Sequence, residues 1–142
     1  MNKPEYILNQ LTKGIKMGMD SISTISDQIS DKELRDDLKF QYDEYNNLLN
    51  QVDTELKNYD AFPKELNPMQ KAMGWMSIKW STLDDKSDSK IAEMMLQGLN
   101  MGIIEGIKLS HSNKDAEGNI PTILNNFINF QENSIQKLKK YL

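Results

Sequence analysis

Two glutamines and three glutamates are the side chains of this sequence best placed to do chemistry. Gln41 and Gln131 interrupt seams that are otherwise apolar. Glu44 and Glu132 lie close behind them, and Glu105 falls within an apolar arc of a third segment. Carboxylates and imidazoles that converge inside a helical bundle can hold a pair of hard metal ions. The usual donor set is one Glu from each of two helices and a Glu-x-x-His from each of the other two. Here His111 is the single histidine, and it stands near the end of its segment. The candidate motifs read Glu44-x-x-Asn47 and Glu132-x-x-Ile135, or, in a shifted register, Gln41-x-x-Glu44 and Gln131-x-x-Ser134. At about 100° per residue, Glu44 and Glu132 flank their seams, Asp20 and Asn47 lie far from theirs, and Glu93 falls on a polar side. The sequence therefore predicts no metal and no other cofactor. Glu44, Glu105 and Glu132 are the set an alternative, metal-binding reading would have to use.

Other chemistry is scarcer still. The absence of cysteine removes disulfides, thiolate ligands and thiol nucleophiles. One histidine cannot be placed against a nucleophile and an orienting acid from sequence alone. The run Asp84-Asp85-Lys86-Ser87-Asp88 lacks the glycine and terminal glutamate of a calcium loop, and reads as a turn plus a helix cap.

The elements that must position these residues are four helices. A phrase occurs twice: Gly14-Ile15-Lys16-Met17-Gly18-Met19 returns as Gly98-Leu99-Asn100-Met101-Gly102-Ile103. Each copy sits in a helical pattern and is followed by a polar break and a second helical pattern. The plan is two helical hairpins joined by a long connection. Helices are expected over about 4–29, 31–58, 88–110 and 119–141, in a single domain spanning 1–142, with a crossover over 59–87.

The first seam runs through Leu8, Leu11, Ile15, Gly18, Ile22, Ile25 and Ile29, in steps of three and four. Ser30-x-x-Glu33 reads as a capping box opening the second helix, whose seam is Leu34, Leu38, Gln41, Tyr45, Leu48, Val52 and Leu56. The third helix is apolar over most of its circumference, so it is expected to be more buried than its neighbours, in the fold or at an interface. The fourth seam is Ile120, Leu124, Phe127, Gln131, Ile135, Leu138 and Leu142, with Asn119 as the expected cap and Pro121 in the first turn. Asn67-Pro68 opens a short helix within the crossover, through Met69, Met73, Trp75, Met76 and Trp80.

Superposing the hairpins pairs Gln41 with Gln131, Tyr45 with Ile135 and Phe40 with Phe130. The two amides thus take equivalent places near mid-bundle. A buried amide must find partners, because an unpaired polar group costs about 1–3 kcal/mol. The expectation is a core network of Gln41, Gln131, Glu105 and Tyr45 that fixes helix register, with the remnant of a ligand site as the alternative. Glu105, if buried beside them, would have its charged form disfavoured by desolvation. Gly14, Gly18, Gly98 and Gly102, spaced one turn apart, allow close contact between helices 1 and 3, or make room for a bulky neighbour such as Trp75. Trp75, Met76 and Trp80 should pin the crossover to the bundle, and Phe40 and Phe130 should pack beneath it, with contact to a partner subunit as the alternative. Met73, Met76, Met94 and Met101 are the methionines to watch at an oligomer interface.

Composition narrows the function classes. Net charge is -4, with both signs interspersed over 27% charged residues, which is no basic footprint for nucleic acid. No signal peptide and no membrane-length apolar run is seen, so a cytoplasmic address and no membrane partner are expected.

Lys32-Glu33-Leu34-Arg35, Gly74-Trp75-Met76-Ser77-Ile78-Lys79, and Ile91-x-Glu93 followed by Gly98 carry a resemblance. On these residues the chain resembles an uncharacterised bacterial family of the ferritin-like superfamily. The resemblance covers nearly the whole chain, though Leu99-Asn100 stands where acidic residues would be expected. It implies an all-α, up-down-down-up four-helix bundle with a long helix 2 to helix 3 crossover containing a short helix; it implies no activity. The expectation for function is a non-catalytic ferritin-like binding or scaffolding module, a possible homo-oligomer, with any small-molecule ligand unknown. The alternative, from another class, is a metal-dependent oxidase or metal-storage protein.

Overall fold

The computed structural model of the chain describes residues 1–62 and 83–142. Among the described residues all regular structure is helical. The helices are α1 (Pro4–Ile25), α2 (Lys32–Lys57), α3 (Asp88–Ser112) and α4 (Ile120–Leu138), with single 3-10 turns at Ser26–Gln28 and Lys139–Tyr141. The expected short crossover helix and the packing of Trp75, Met76 and Trp80 lie outside the described residues.

Local chemistry sets the ends. α1 starts on Pro4, whose missing amide costs nothing in a first turn. The α1–α2 turn corrects the predicted capping box. Ile29 is extended and 3% exposed, which leaves Ser30 outside the helix, and Asp31 is the cap, accepting from the Leu34 amide at 2.9 Å. Glu33 reaches away to Lys140 instead. At α3 the acidic run behaves as expected. Asp85 accepts from the Ser87 amide, and Ser87 Oγ accepts from the Lys90 amide at 3.2 Å. Asn119 precedes α4, but its side chain makes no cap bond and points to Glu55.

α1 pairs with α2 and α3 with α4 as antiparallel hairpins, and contacts between helix ends show how the pairs join. Lys140 Nζ, just beyond α4, meets Glu33 Oε1 at 2.5 Å near the start of α2. Glu55, near the end of α2, meets Asn119 at the start of α4. α2 and α4 are therefore antiparallel. The Asn2 amide donates to Asn113 Oδ1 at 2.7 Å, which sets the start of α1 beside the end of α3.

The predicted seams form one core, except that Leu142 is 61% exposed and Ile135 is only partly buried. Leu8, Leu11, Ile15 and Ile25 of α1, Leu34, Leu38, Val52 and Leu56 of α2, Ile91 and Leu99 of α3, and Leu124 and Leu138 of α4 are all at most 2% exposed. Each such side chain contributes about 1.5–3 kcal/mol by leaving water, so the four seams together hold the fold. α3 is not the more buried helix that its composition suggested. Met101 and Ile104 are 50% and 46% exposed, and Leu96 and Leu109 only pack against the core from outside. Among the described residues it packs chiefly on α4 and only sparsely on α1, which leaves part of its apolar circumference uncovered. Among the described residues no helix is long and apolar enough to cross a membrane.

Candidate functional site

The two mid-bundle glutamines are buried as their seam positions require, at 1% and 2% exposure, but the expected network does not form. Gln131 Nε2 reaches only its own helix, donating to the Phe127 carbonyl at 3.4 Å. Both amide atoms of Gln41 are enclosed and find no partner among the described residues. Glu105 takes no part: it faces outward, its side chain 77% exposed and its carboxylate 3.8 Å from Lys108. Helix rotation explains the miss, because its apolar arc is partly the uncovered side of α3 that also carries Met101 and Ile104.

Tyr45 is the fourth predicted member. It is 4% exposed and held by an edge-on contact with Phe130, with ring centroids 4.7 Å apart. Burial pushes its phenol well above the ordinary tyrosine range, so it stays a hydrogen-bond donor throughout neutral pH. Phe130, partly buried, thus packs against the edge of the core. Its pseudo-equivalent, Phe40, is half-exposed under the Lys137 ammonium, 4.0 Å from the ring centre. The crossover contact predicted for both involves residues outside those described.

The glycines serve side chains more than helix-to-helix contact. A Cβ on Gly18 would overlap the Tyr45 ring, one on Gly102 would overlap Gln131 Oε1, and one on Gly14 would lie 3.3 Å from Phe127 Cζ. α1 and α3 instead stand apart around a cavity of about 520 Å³. Gly14 and Gly18 line one wall, and Gly98, Gly102 and Gly106 the other. Tyr45, Phe127 and Gln131 reach the cavity from α2 and α4. Its α1 lining runs from Asn2 to Ser21, about 28 Å at 1.5 Å per residue. At the Asn2 end, Asn113 closes the gap. It is 2% exposed, and its Nδ2 donates to Asn2 Oδ1 at 3.1 Å and to the Leu109 carbonyl at 2.8 Å.

The carboxylates of the metal-binding alternative are not gathered here. Glu44 is half-buried and accepts from Asn47 at 3.3 Å, while Glu105 and Glu132 are exposed. Among the described residues no three His, Cys, Asp or Glu side chains are placed to hold a metal ion. The buried polar groups at mid-bundle are amides and a phenol, a donor set that does not suit a pair of hard cations.

One buried carboxylate escaped the sequence reading. Glu55, 3% exposed, takes the Asn119 amide at 3.3 Å and Asn119 Nδ2 at 3.1 Å, and so clamps the α3–α4 turn. Gly118 precedes it at φ 61°, with no room for a Cβ beside Glu55. The Gly118-Asn119 pair was the available signal. Burial, with Glu117 and Glu55 nearby, raises the Tyr59 phenol.

Comparison with protein-family models, with curated proteins and with solved structures finds no match to this chain.

Proposed function

We propose that this protein is a non-catalytic binding module of ferritin-like, up-down-down-up plan, whose binding site is the cavity between α1 and α3. The end contacts support the topology: α1 runs opposite to α2 and α3, and α2 opposite to α4, so α2 and α3 point the same way and a chain joining them has to return along the bundle. The observation that carries the function is the cavity itself. Five glycines line it, at a cost of about 1 kcal/mol each in helix propensity. Three of them, Gly14, Gly18 and Gly102, also make way for Phe127, Tyr45 and Gln131, which bring aromatic faces and polar tips to the cavity wall. Among the described residues the site offers no nucleophile paired with a base, which argues for binding and against turnover.

The neutral apolar fluorophore N-phenyl-1-naphthylamine tests the reading. The protein is expected to enhance its fluorescence saturably. Met17→Trp or Ser21→Trp, at half-buried positions on the α1 wall, should weaken binding about tenfold while the helical circular dichroism is kept. Absence of binding, or binding indifferent to these substitutions, would defeat the proposal. A second copy seated over Met101 and Ile104 would instead give a dimer by light scattering that the fluorophore leaves intact, and would equally defeat it.

A further inference from the structure

Two polar tips in this cavity have nothing to bond. Tyr45 is 4% exposed, and its hydroxyl finds no hydrogen-bond partner among the described residues. Its end lies against Gly18. Gln131 is 2% exposed; its nitrogen is turned to the Phe127 carbonyl, and its Oε1, lying against Gly102, has no donor among the described residues. Both atoms open onto the cavity and are not sealed off, so each offers an unused hydrogen bond to a molecule that enters it. The two differ in kind: Tyr45 Oη can donate, and Gln131 Oε1 can only accept.

They also differ in height. Asn2 faces Asn113 across the antiparallel α1/α3 pair. Counting sixteen residues along each helix brings Gly18 level with position 97, five residues from Gly102, or about 7 Å along the bundle. One atom cannot serve both tips, but a head group carrying an acceptor and a donor side by side can. From there the cavity runs past Phe127, Leu11 and Leu109 towards Asn2. Among the described residues no cation is buried beside the tips, so an ionised head there would lose its hydration without compensation. Lys13 and Lys108, the lysines of the lining, are both exposed.

We infer that the α1/α3 cavity takes a neutral, single-chain amphiphile whose head presents an acceptor to Tyr45 Oη and a donor to Gln131 Oε1, with its apolar chain lying along the glycine-lined walls towards Asn2. This inference rests on the binding reading above and names the ligand class for the same site.

Displacement of N-phenyl-1-naphthylamine from the full chain tests it, with three dodecanoyl probes kept below their micellar concentrations. Monolauroylglycerol carries donor and acceptor, methyl laurate carries an acceptor only, and laurate is charged. Monolauroylglycerol is expected to displace the fluorophore at about five- to tenfold lower concentration than either of the others, the range set by one or two additional hydrogen bonds. Tyr45→Phe and Gln131→Leu should each reduce that preference several-fold, read as the ratio of displacing concentrations measured on the same variant. The Gln131 side-chain amide resonances should shift with monolauroylglycerol and not with methyl laurate. Fluorophore binding with no preference among the three, or a preference for laurate, overturns the head-group assignment and leaves the cavity reading standing. Absence of fluorophore binding overturns both. Should Tyr45→Phe fail to fold, Gln131→Leu and the amide shifts still decide.

Discussion

At the residue scale, a seam position predicts burial far better than it predicts partnership. Gln41, Gln131 and Tyr45 are all buried where helical periodicity puts them. Whether their polar atoms meet depends on a few ångströms of rotation and on rotamers, which periodicity does not encode. Gln41 is the sharpest case, because neither amide atom has a partner among the described residues. Replacing it with an isosteric apolar chain removes the desolvation penalty and keeps the volume. Gln41→Met should therefore stabilise the protein by about 1–3 kcal/mol, read as a rise in Tm of a few degrees in thermal unfolding. A fall in Tm would mean that the amide is satisfied. Glu105 teaches the converse. An apolar arc on one helix need not be a buried face: Met101 and Ile104 beside Glu105 are exposed, and so is the carboxylate.

At the element scale, the helices were legible because the first, second and fourth carry seams in steps of three and four, the third is a long apolar run, and caps or prolines mark their starts. The cap at α2 was misplaced by one residue. Ser30 and Asp31 are both good caps by type. The choice between them was made by burial of Ile29, which holds the chain extended through Ser30 and delivers Asp31 to the Leu34 amide. Asp31→Ala is accordingly expected to cost about 1 kcal/mol in urea unfolding, while Ser30→Ala stays within about 0.5 kcal/mol. Equal losses would return the cap to Ser30. The Glu55 clamp could not be read from helix 2 alone, because its partner Asn119 lies sixty-four residues away.

At the scale of the whole molecule, three phenols raised above their ordinary values link stability to alkaline pH. Tyr45 is raised by burial. Tyr141 is raised by burial and by its hydrogen bond to Asp37, and Tyr59 by burial and nearby carboxylates. A group whose folded pKa exceeds its unfolded one holds its proton more tightly in the folded state. Its contribution is complete below the unfolded value, near 10, and is lost as pH climbs above it. Each such tyrosine should remove about 1.4 kcal/mol per pH unit once the unfolded chain ionises. Urea midpoints between pH 9 and 11 are expected to fall, and Tyr45→Phe should make the fall shallower by about one tyrosine's share. Parallel profiles for the two proteins would contradict the burial of that hydroxyl.

The sequence by itself determined the all-helical class, the four helices, the seams that fill the core and the burial of the paired glutamines. These follow from local periodicity, caps and the preference of apolar side chains to leave water, all of which act over one or two turns. Only the tertiary structure decided that the glycines on α1 and α3 would part around a cavity, that the amides and the Tyr45 phenol would stay separate, and that Glu55 would clamp the distant turn. Those outcomes depend on how far apart and how rotated the packed helices are, distances set jointly by all four elements and written in none of them singly.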